Sequence, residues 1–380
     1  MQKGFRIFSI VLAIVLALYF SWSAAGRKAP AIDVRLQIDS MQVIGADSGR
    51  GNLVGINPHM IPQDYATAAH FQAKLDGYLQ VAQLEGWLKP NTVVLFPEYI
   101  GTWLVLAGEK TSALSAPSTE QAMRRYVSSN IFFFLRNWFM APDQAEDKVT
   151  HSVFASKTER MASVYQDVFS KLAAKYKVTV VAGSILLQNP VVRKRKIRIG
   201  NGPLYNVTAV FNPDGSLQEP LVRKAFPTAD EQPFLARGSA GDIPVFTLPV
   251  GKTGVAICAD AWFPETYRNM ADRQARIILV PSYTQQDNAM NQPWSGYSGY
   301  PAPSDVDSTD IGRISLREAW VKYTLPSRLK SSGAPYGLLT TLKGKLWDLG
   351  TDGEYLVVTP DSVSLGPKGP GASLVNLYLR

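Results

Sequence analysis

The chain has 380 residues, 46% hydrophobic and 18% charged, with a formal net charge of +8. That composition calls for a packed core and argues against disorder. One cysteine rules out an intramolecular disulfide framework, and three histidines (His59, His70, His151) in no metal-ligand spacing argue against a histidine-rich metal centre. The positive charge weakly favours anionic surfaces, but no zinc-finger or RRM-type motif turns it into a nucleic-acid interface.

The N-terminus reads MQKGFR, then IFSIVLAIVLALYF, then SWSAAGRK. At about 1.5 Å per residue, Ile7 to Phe20 covers about 21 Å, short of the roughly 30 Å hydrocarbon layer. Extended to Ala25 it covers about 28 Å and just spans. Ser23-Ala24-Ala25 also fits a small-x-small cleavage site, so a signal peptide and an uncleaved anchor both remain open. Tyr19 and Trp22 suit an interfacial belt and tip the reading toward an anchor. Lys3 and Arg6 keep that end cytoplasmic, which puts the rest of the chain on the extracytoplasmic side, secreted if the segment is cleaved.

Residues 26–35 read as a linker, and VRLQIDSMQVI (34–44) as a first strand with period-two character. A helix follows over 63–89, with Pro90 just beyond its end. NTVVLFPE (91–98) is a short apolar strand of the kind buried on both faces, stopping at Pro97-Glu98. Residues 101–150 read as irregular and include the aromatic run YVSSNIFFFLRNWFM, either a helix packed on the body or a lid or membrane-contacting surface. An amphipathic helix (159–177) leads into the strand VTVVAGSILL.

The stretch 191–217 reads as two antiparallel strands with turns at Gly200-Asn201-Gly202 and Asn212-Pro213-Asp214-Gly215. Its Arg193-Lys194-Arg195-Lys196 run is a solvated hairpin face or an anionic-lipid contact. Asn206-Val207-Thr208 fits the glycosylation acceptor pattern. Two short strands then lead to Cys258, followed by a helix (265–275), the strand RIILVPSY, a helix over 315–331, and short strands including TDGEYLVV. The alternation of strand and helix gives an α/β protein with a mixed sheet.

Glu98, Lys224 and Cys258 each end or closely follow an apolar strand, and open α/β sheets gather functional groups outside the carboxyl ends of their strands. Singly, such a lysine is an ordinary surface residue and such a glutamate an ordinary turn residue; their joint setting is what points to chemistry. VVLFPE, RKAFPTADEQPFLARGSAGDIPVF and TGVAICADAWFPETYRNMADRQARIILVPS, in this order, resemble the glutamate, lysine and cysteine motifs of the carbon–nitrogen hydrolase family, also called the nitrilase superfamily. YKVTVVAGS and LYNVTAVFNPDGSL are similar to its intervening strands, and the resemblance covers about residues 35 to 290.

The resemblance implies a four-layer α-β-β-α sandwich with mixed sheets, here preceded by one hydrophobic helix. Residues 1–30 are then anchor or signal peptide with linker, and 31–380 the carbon–nitrogen hydrolase domain. It implies a Glu98–Lys224–Cys258 triad that cleaves a small amide-type substrate through a cysteine thioester, with pairing through helical faces common among relatives. Glu231 orients the lysine or the water, the N–H of Ala259 joins the oxyanion site, and Asp260 supports the cysteine elbow. Neither cofactor nor metal is implied, since thiol acyl transfer needs neither.

An acyltransferase with an amine acceptor, and a binding relative without catalysis, are the alternatives. The departures are Ala259 in place of an aromatic residue, Phe226 in place of a histidine, Arg317-Glu318-Ala319 as an approximation to an arginine–alanine pair, and an insertion over residues 283–310. They bear on substrate identity more than on chemistry.

Overall fold

The computed structural model describes residues 2–351 and 353–380. Its helices are α1 (Gln2–Ala24), α2 (Ala68–Leu84), α3 (Thr111–Leu114), α4 (Thr119–Ser129), α5 (Ile131–Phe139), α6 (Lys148–Ala155), α7 (Thr158–Tyr176), α8 (Pro264–Asp272), α9 (Leu316–Tyr323) and α10 (Leu325–Ser332). Two mixed sheets dominate. The larger has seven strands in the order Ile38–Ile44, Ala372–Tyr378, Asn52–Asn57, Thr92–Leu95, Thr179–Gln188, Leu204–Phe211 and Val222–Arg223. The smaller has six, in the order Val245–Leu248, Gly251–Val255, Ile277–Ser282, Tyr336–Thr341, Leu356–Val358 and Val363–Leu365.

The sheets pack face to face because their central strands are apolar on both sides. Leu53, Val93, Leu95 and Val181 of one meet Val255, Ile277, Leu279 and Leu338 of the other in one buried cluster. Gly55 lets the sheets approach closely: a Cβ there would meet the Thr340 and Leu338 side chains of the smaller sheet at 3.1 and 3.3 Å. The outer face of the larger sheet is covered by α2 and α7, through Phe71, Leu75, Val168, Phe169 and Leu172. Helices α8 and α10 cover the smaller sheet, through Tyr267, Met270, Leu325 and Leu329. This is the four-layer α-β-β-α sandwich.

Several local expectations shift. Residues 101–150 are mostly helical, with α4 capped by Ser118 and α6 by Asp147, whose side chains accept from Gln121 N and Thr150 N. The helix over 315–331 breaks at Thr324, because Pro326 in the first turn of α10 has no N–H to continue α9. Strands Val191–Arg193 and Lys196–Arg198 form a hairpin that turns at Lys194-Arg195, both at positive φ, upstream of the glycines at 200 and 202. The buried strand Asn52–Asn57 is one that the sequence pattern does not mark. The strand expected within TDGEYLVV (351–358) forms over Leu356–Val358, and Asp352 lies outside the described residues. Helix α1 has no buried residue and a mean hydropathy of 2.2 over its most apolar stretch.

Candidate active site

Glu98 sits where Pro97 ends the ladder of strand Thr92–Leu95, since proline has no N–H to donate. The neighbouring strand bulges between Val181 and Ser184 to receive this turn. Gly183 (φ +65°) lies so close to it that a Cβ would come within 2.1 Å of the Pro97 carbonyl oxygen. Ser184 N donates to Pro97 O at 3.2 Å, and Ser184 Oγ accepts from Tyr99 N at 2.9 Å. Glu98 N donates to Ser282 O of the other sheet at 3.2 Å, so the glutamate backbone is held from both sheets.

Lys224 follows the last strand of the larger sheet, its N donating to Asn206 O at 2.9 Å and its carbonyl accepting from Gly238 N at 2.7 Å. Cys258 follows strand Gly251–Val255, at the start of a 3₁₀ turn over Cys258–Trp262. One buried carboxylate ties the two segments together. Asp260 Oδ1 accepts from Ala225 N and Phe226 N at 2.9 Å each, and Oδ2 from Ile257 N at 3.1 Å. Burial nonetheless pushes the Asp260 pKa up to about 7, against the pull of Lys224 and those three donors.

Cys258 itself has φ +46° and Tyr99 φ +61°, a left-handed region uncommon for residues with side chains. Such conformations cluster at sites where the surroundings over-determine them.

Side chains from these strand ends converge. Lys224 Nζ lies 2.9 Å from Glu98 Oε1 and 2.6 Å from Glu231 Oε2. Asn206 Nδ2 donates to Glu98 Oε1 at 2.9 Å and to Glu231 Oε1 at 3.4 Å. Tyr99 OH donates to Glu231, whose Oε2 also accepts from Thr228 N at 2.8 Å. The Cys258 Sγ accepts from Ser282 Oγ at 3.2 Å and donates to Tyr283 O at 3.6 Å. Glu98, Lys224, Glu231 and Cys258 are all buried.

The electrostatics separate the two glutamates. Burial pushes the Glu98 pKa up; Lys224 pulls it down, Glu231 pushes it further up, and Cys258 as hydrogen-bond neighbour pulls it down. Burial also opposes the Glu231 carboxylate, but Lys224, Tyr99 and the Thr228 N–H hold its pKa below the ordinary glutamate value. Burial works against the Lys224 charge, yet Glu231, Glu98 and Cys258 hold its pKa well above the usual lysine range. Burial and the Glu98 charge push the Cys258 thiol up to about 12. Two carboxylates pushed apart in this way are suited to different tasks: one to exchange a proton, the other to stay charged.

The site opens into a cavity of about 370 Å³. Beside Glu98, Lys224, Glu231 and Cys258 it is lined by Trp103, Met123, Phe154, Phe234 and Tyr283. The 101–150 region therefore supplies cavity wall. Half-buried Ala259 follows Cys258 in the first turn of the 3₁₀ helix, where early N–H groups lack intrahelical acceptors.

Sequence reasoning misses Asn206, Tyr99 and Ser282. Asn206 fits a glycosylation acceptor by its local pattern; in the fold it is buried, with its amide spent on the two glutamates. Its signal in the sequence is a lone amide within the apolar strand LYNVTAVF, a position that demands a polar partner.

A sequence profile of the carbon–nitrogen hydrolase family matches residues 92–299. The chain is 30% identical over 121 residues to a probable hydrolase, YhcX, of Bacillus subtilis, covering 32% of this chain and 21% of that protein. It is 38% identical over 88 residues to a citrullinase of Francisella tularensis, covering 22% of this chain and 30% of that protein. With N-carbamoylputrescine amidase of Solanum lycopersicum it shares 36% over 86 residues, 22% of this chain and 28% of the other. The matches thus span a fifth to a third of the length of these curated relatives.

Among solved structures, a mutant of the amidase from Nesterenkonia sp. AN1 superposes with a TM-score of 0.52 at 14% identity, covering 87% of this chain and 93% of that one. The double mutant of the same amidase in complex with acrylamide gives 0.52 at 15% identity, covering 88% and 93%. The fold is shared with these, and the profile match extends over more than half of the sequence: the chain belongs to the carbon–nitrogen hydrolase family.

Proposed function

We propose that the chain is an amidase-type hydrolase that cleaves a non-peptide C–N bond through a thioester on Cys258. The observation that carries this is the buried Lys224 ammonium between Glu98 and Glu231, with the Cys258 thiol beside Glu98. A thiol held near 12 is almost wholly protonated at neutral pH, so a base must act during attack. Glu98 takes the thiol proton as the sulfur–carbon bond forms, and returns it to the departing nitrogen as the C–N bond breaks. Water then gives a proton to Glu98 and attacks the thioester; the sulfur leaves and recovers its proton.

Lys224 and the Ala259 N–H stabilise the oxyanion, where one donor is typically worth about 3 kcal/mol. Glu231, held ionised, keeps Lys224 charged and in place. The amidase and citrullinase relatives support an amide-type substrate.

In the same reading, residues 31–380 form the hydrolase domain. Residues 1–30 carry it on the extracytoplasmic side of a membrane through α1. The test is mass spectrometry after incubation with a panel of small amides and nitriles. An acyl adduct on Cys258 that decays with product release is expected, and its absence from Cys258→Ala. Turnover by Cys258→Ala would overturn the mechanism; acyl transfer to an added amine in preference to water would make the chain an acyltransferase.

A further inference from the structure

Helix α5 turns its apolar side outward. Phe139 is 82% exposed and Phe133 62%, and Phe132, Leu135 and Met140 stand open beside them. At about 100° per residue these five fall within an arc of about 160°. The opposite side carries Phe134, which is buried and packs on Trp138 at 5.7 Å between ring centroids. So contiguous an exposed apolar patch marks an interaction surface.

The patch is continuous with α1. The Phe132 ring lies 5.3 Å from that of Tyr19, edge-on, and is stacked on that of Phe20 at 5.7 Å. Tyr19 OH donates to Ser128 O at 3.2 Å and accepts from Ile131 N at 3.1 Å. Ser23 Oγ donates to Ser129 O at 2.6 Å. Helix α5 is thus fixed against the last turns of α1. If α1 crosses a bilayer from its Lys3–Arg6 end, residues 19–23 lie about 24 to 30 Å beyond Lys3, close to the opposite interface.

We propose that α5 is a second, in-plane membrane contact, lying in the headgroup–acyl boundary beside the far end of α1. A phospholipid bilayer fits this surface better than a second copy of the chain. The apolar arc contains one cation, exposed Arg136. A dry protein interface would strand that charge, whereas at a lipid interface its stem lies among the phenylalanines and its head reaches the phosphates. Lys110, whose Nζ lies 3.6 Å over the Trp22 ring, adds a further cation at the same level. The surface also adjoins the catalytic cavity, because α4, which packs on α1, supplies Met123 to its wall.

The proposal rests on α1 being membrane-inserted, and the experiment separates the two. Cys258→Ala removes the only native thiol. In that full-length background Phe139→Cys, Val11→Cys and Val363→Cys are spin-labelled and reconstituted in phosphatidylcholine–phosphatidylglycerol vesicles. Accessibility to oxygen and to a water-soluble nickel chelate is then read. Val11 reports α1, and Val363, on the edge of the other sheet, reports water.

The expected result is an oxygen-to-nickel ratio at 139 several-fold above that at 363, together with a high ratio at 11. A high ratio at 11 with a ratio at 139 equal to that at 363 overturns the proposal and leaves the anchor standing. Exclusion of both reagents from 139 means a protein-covered face and also overturns it. A water-like ratio at 11 overturns anchor and proposal together.

Discussion

Cys258 cannot act as a preformed thiolate, because burial and Glu98 hold its pKa near 12. In the proposed mechanism the reactivity of the site therefore depends on Glu98 accepting the proton, and this sets the pH response. A protonated Glu98 cannot act as base, so activity falls as pH falls through its pKa. That pKa is raised above the ordinary glutamate value of 4.5, chiefly by burial. The acid limb of kcat/KM should accordingly lie above 4.5, measured with a neutral amide across the acid range; a limb at or below 4.5 would contradict the assignment. Glu98→Gln should lower kcat by about 10²- to 10⁴-fold with the fold intact by circular dichroism. Glu231→Gln acts differently, since it removes one of the charges that hold Lys224 protonated and in place. It should lower kcat by about 10-fold or more through the oxyanion, and move the acid limb to lower pH, because the Glu231 charge helps to raise the Glu98 pKa.

At the scale of elements, the site is a set of strand ends joined by backbone devices. Asp260 is one of these. Asp260→Ala would leave three buried N–H groups without their acceptor, on both the lysine and the cysteine segments. A stability loss of about 1–3 kcal/mol or more, read by chemical denaturation, should accompany a fall in kcat. The bulge at Gly183 is another. Gly183→Ala adds a Cβ at positive φ against the Pro97 carbonyl, so thermal stability and activity should both fall although no catalytic group is altered. Unchanged activity would mean that the Glu98 turn does not depend on the bulge.

These devices also explain what is legible in the sequence. Glu98, Lys224 and Cys258 stand out because each ends or closely follows an apolar strand and because the three segments, in order, resemble the motifs of one family; any one alone is a weak signal. Asn206, Tyr99 and Ser282 carry no such mark, since their roles follow from pairing between strands far apart in the chain. The helices of 101–150 are too short to show a clear period: α6 has eight residues and α5 nine. The aromatic run of α5 further hides its polarity, because both of its sides are apolar.

At the scale of the whole molecule, one ion network ties the chain just after α1 to the body. The Glu109 carboxylate is fully buried and lies 2.9 Å from Arg27, just after α1, while pairing also with Lys157 near the start of α7. Asn130 Nδ2 donates to the same carboxylate at 2.8 Å. Removing one member of such a network leaves buried charges uncompensated, at a cost of about 3–5 kcal/mol. The exposed pair Arg124–Glu120, with both side chains more than 70% open to solvent, offers the contrast. Its loss should cost less than about 1 kcal/mol. Glu109→Gln should therefore lower the unfolding midpoint clearly and expose residues 26–35 to protease, while Glu120→Gln leaves both unchanged. Equal behaviour of the two variants would mean that the Glu109 network does not hold the end of α1, leaving only the contacts of Tyr19, Phe20 and Ser23 with residues 128–132 to orient the body.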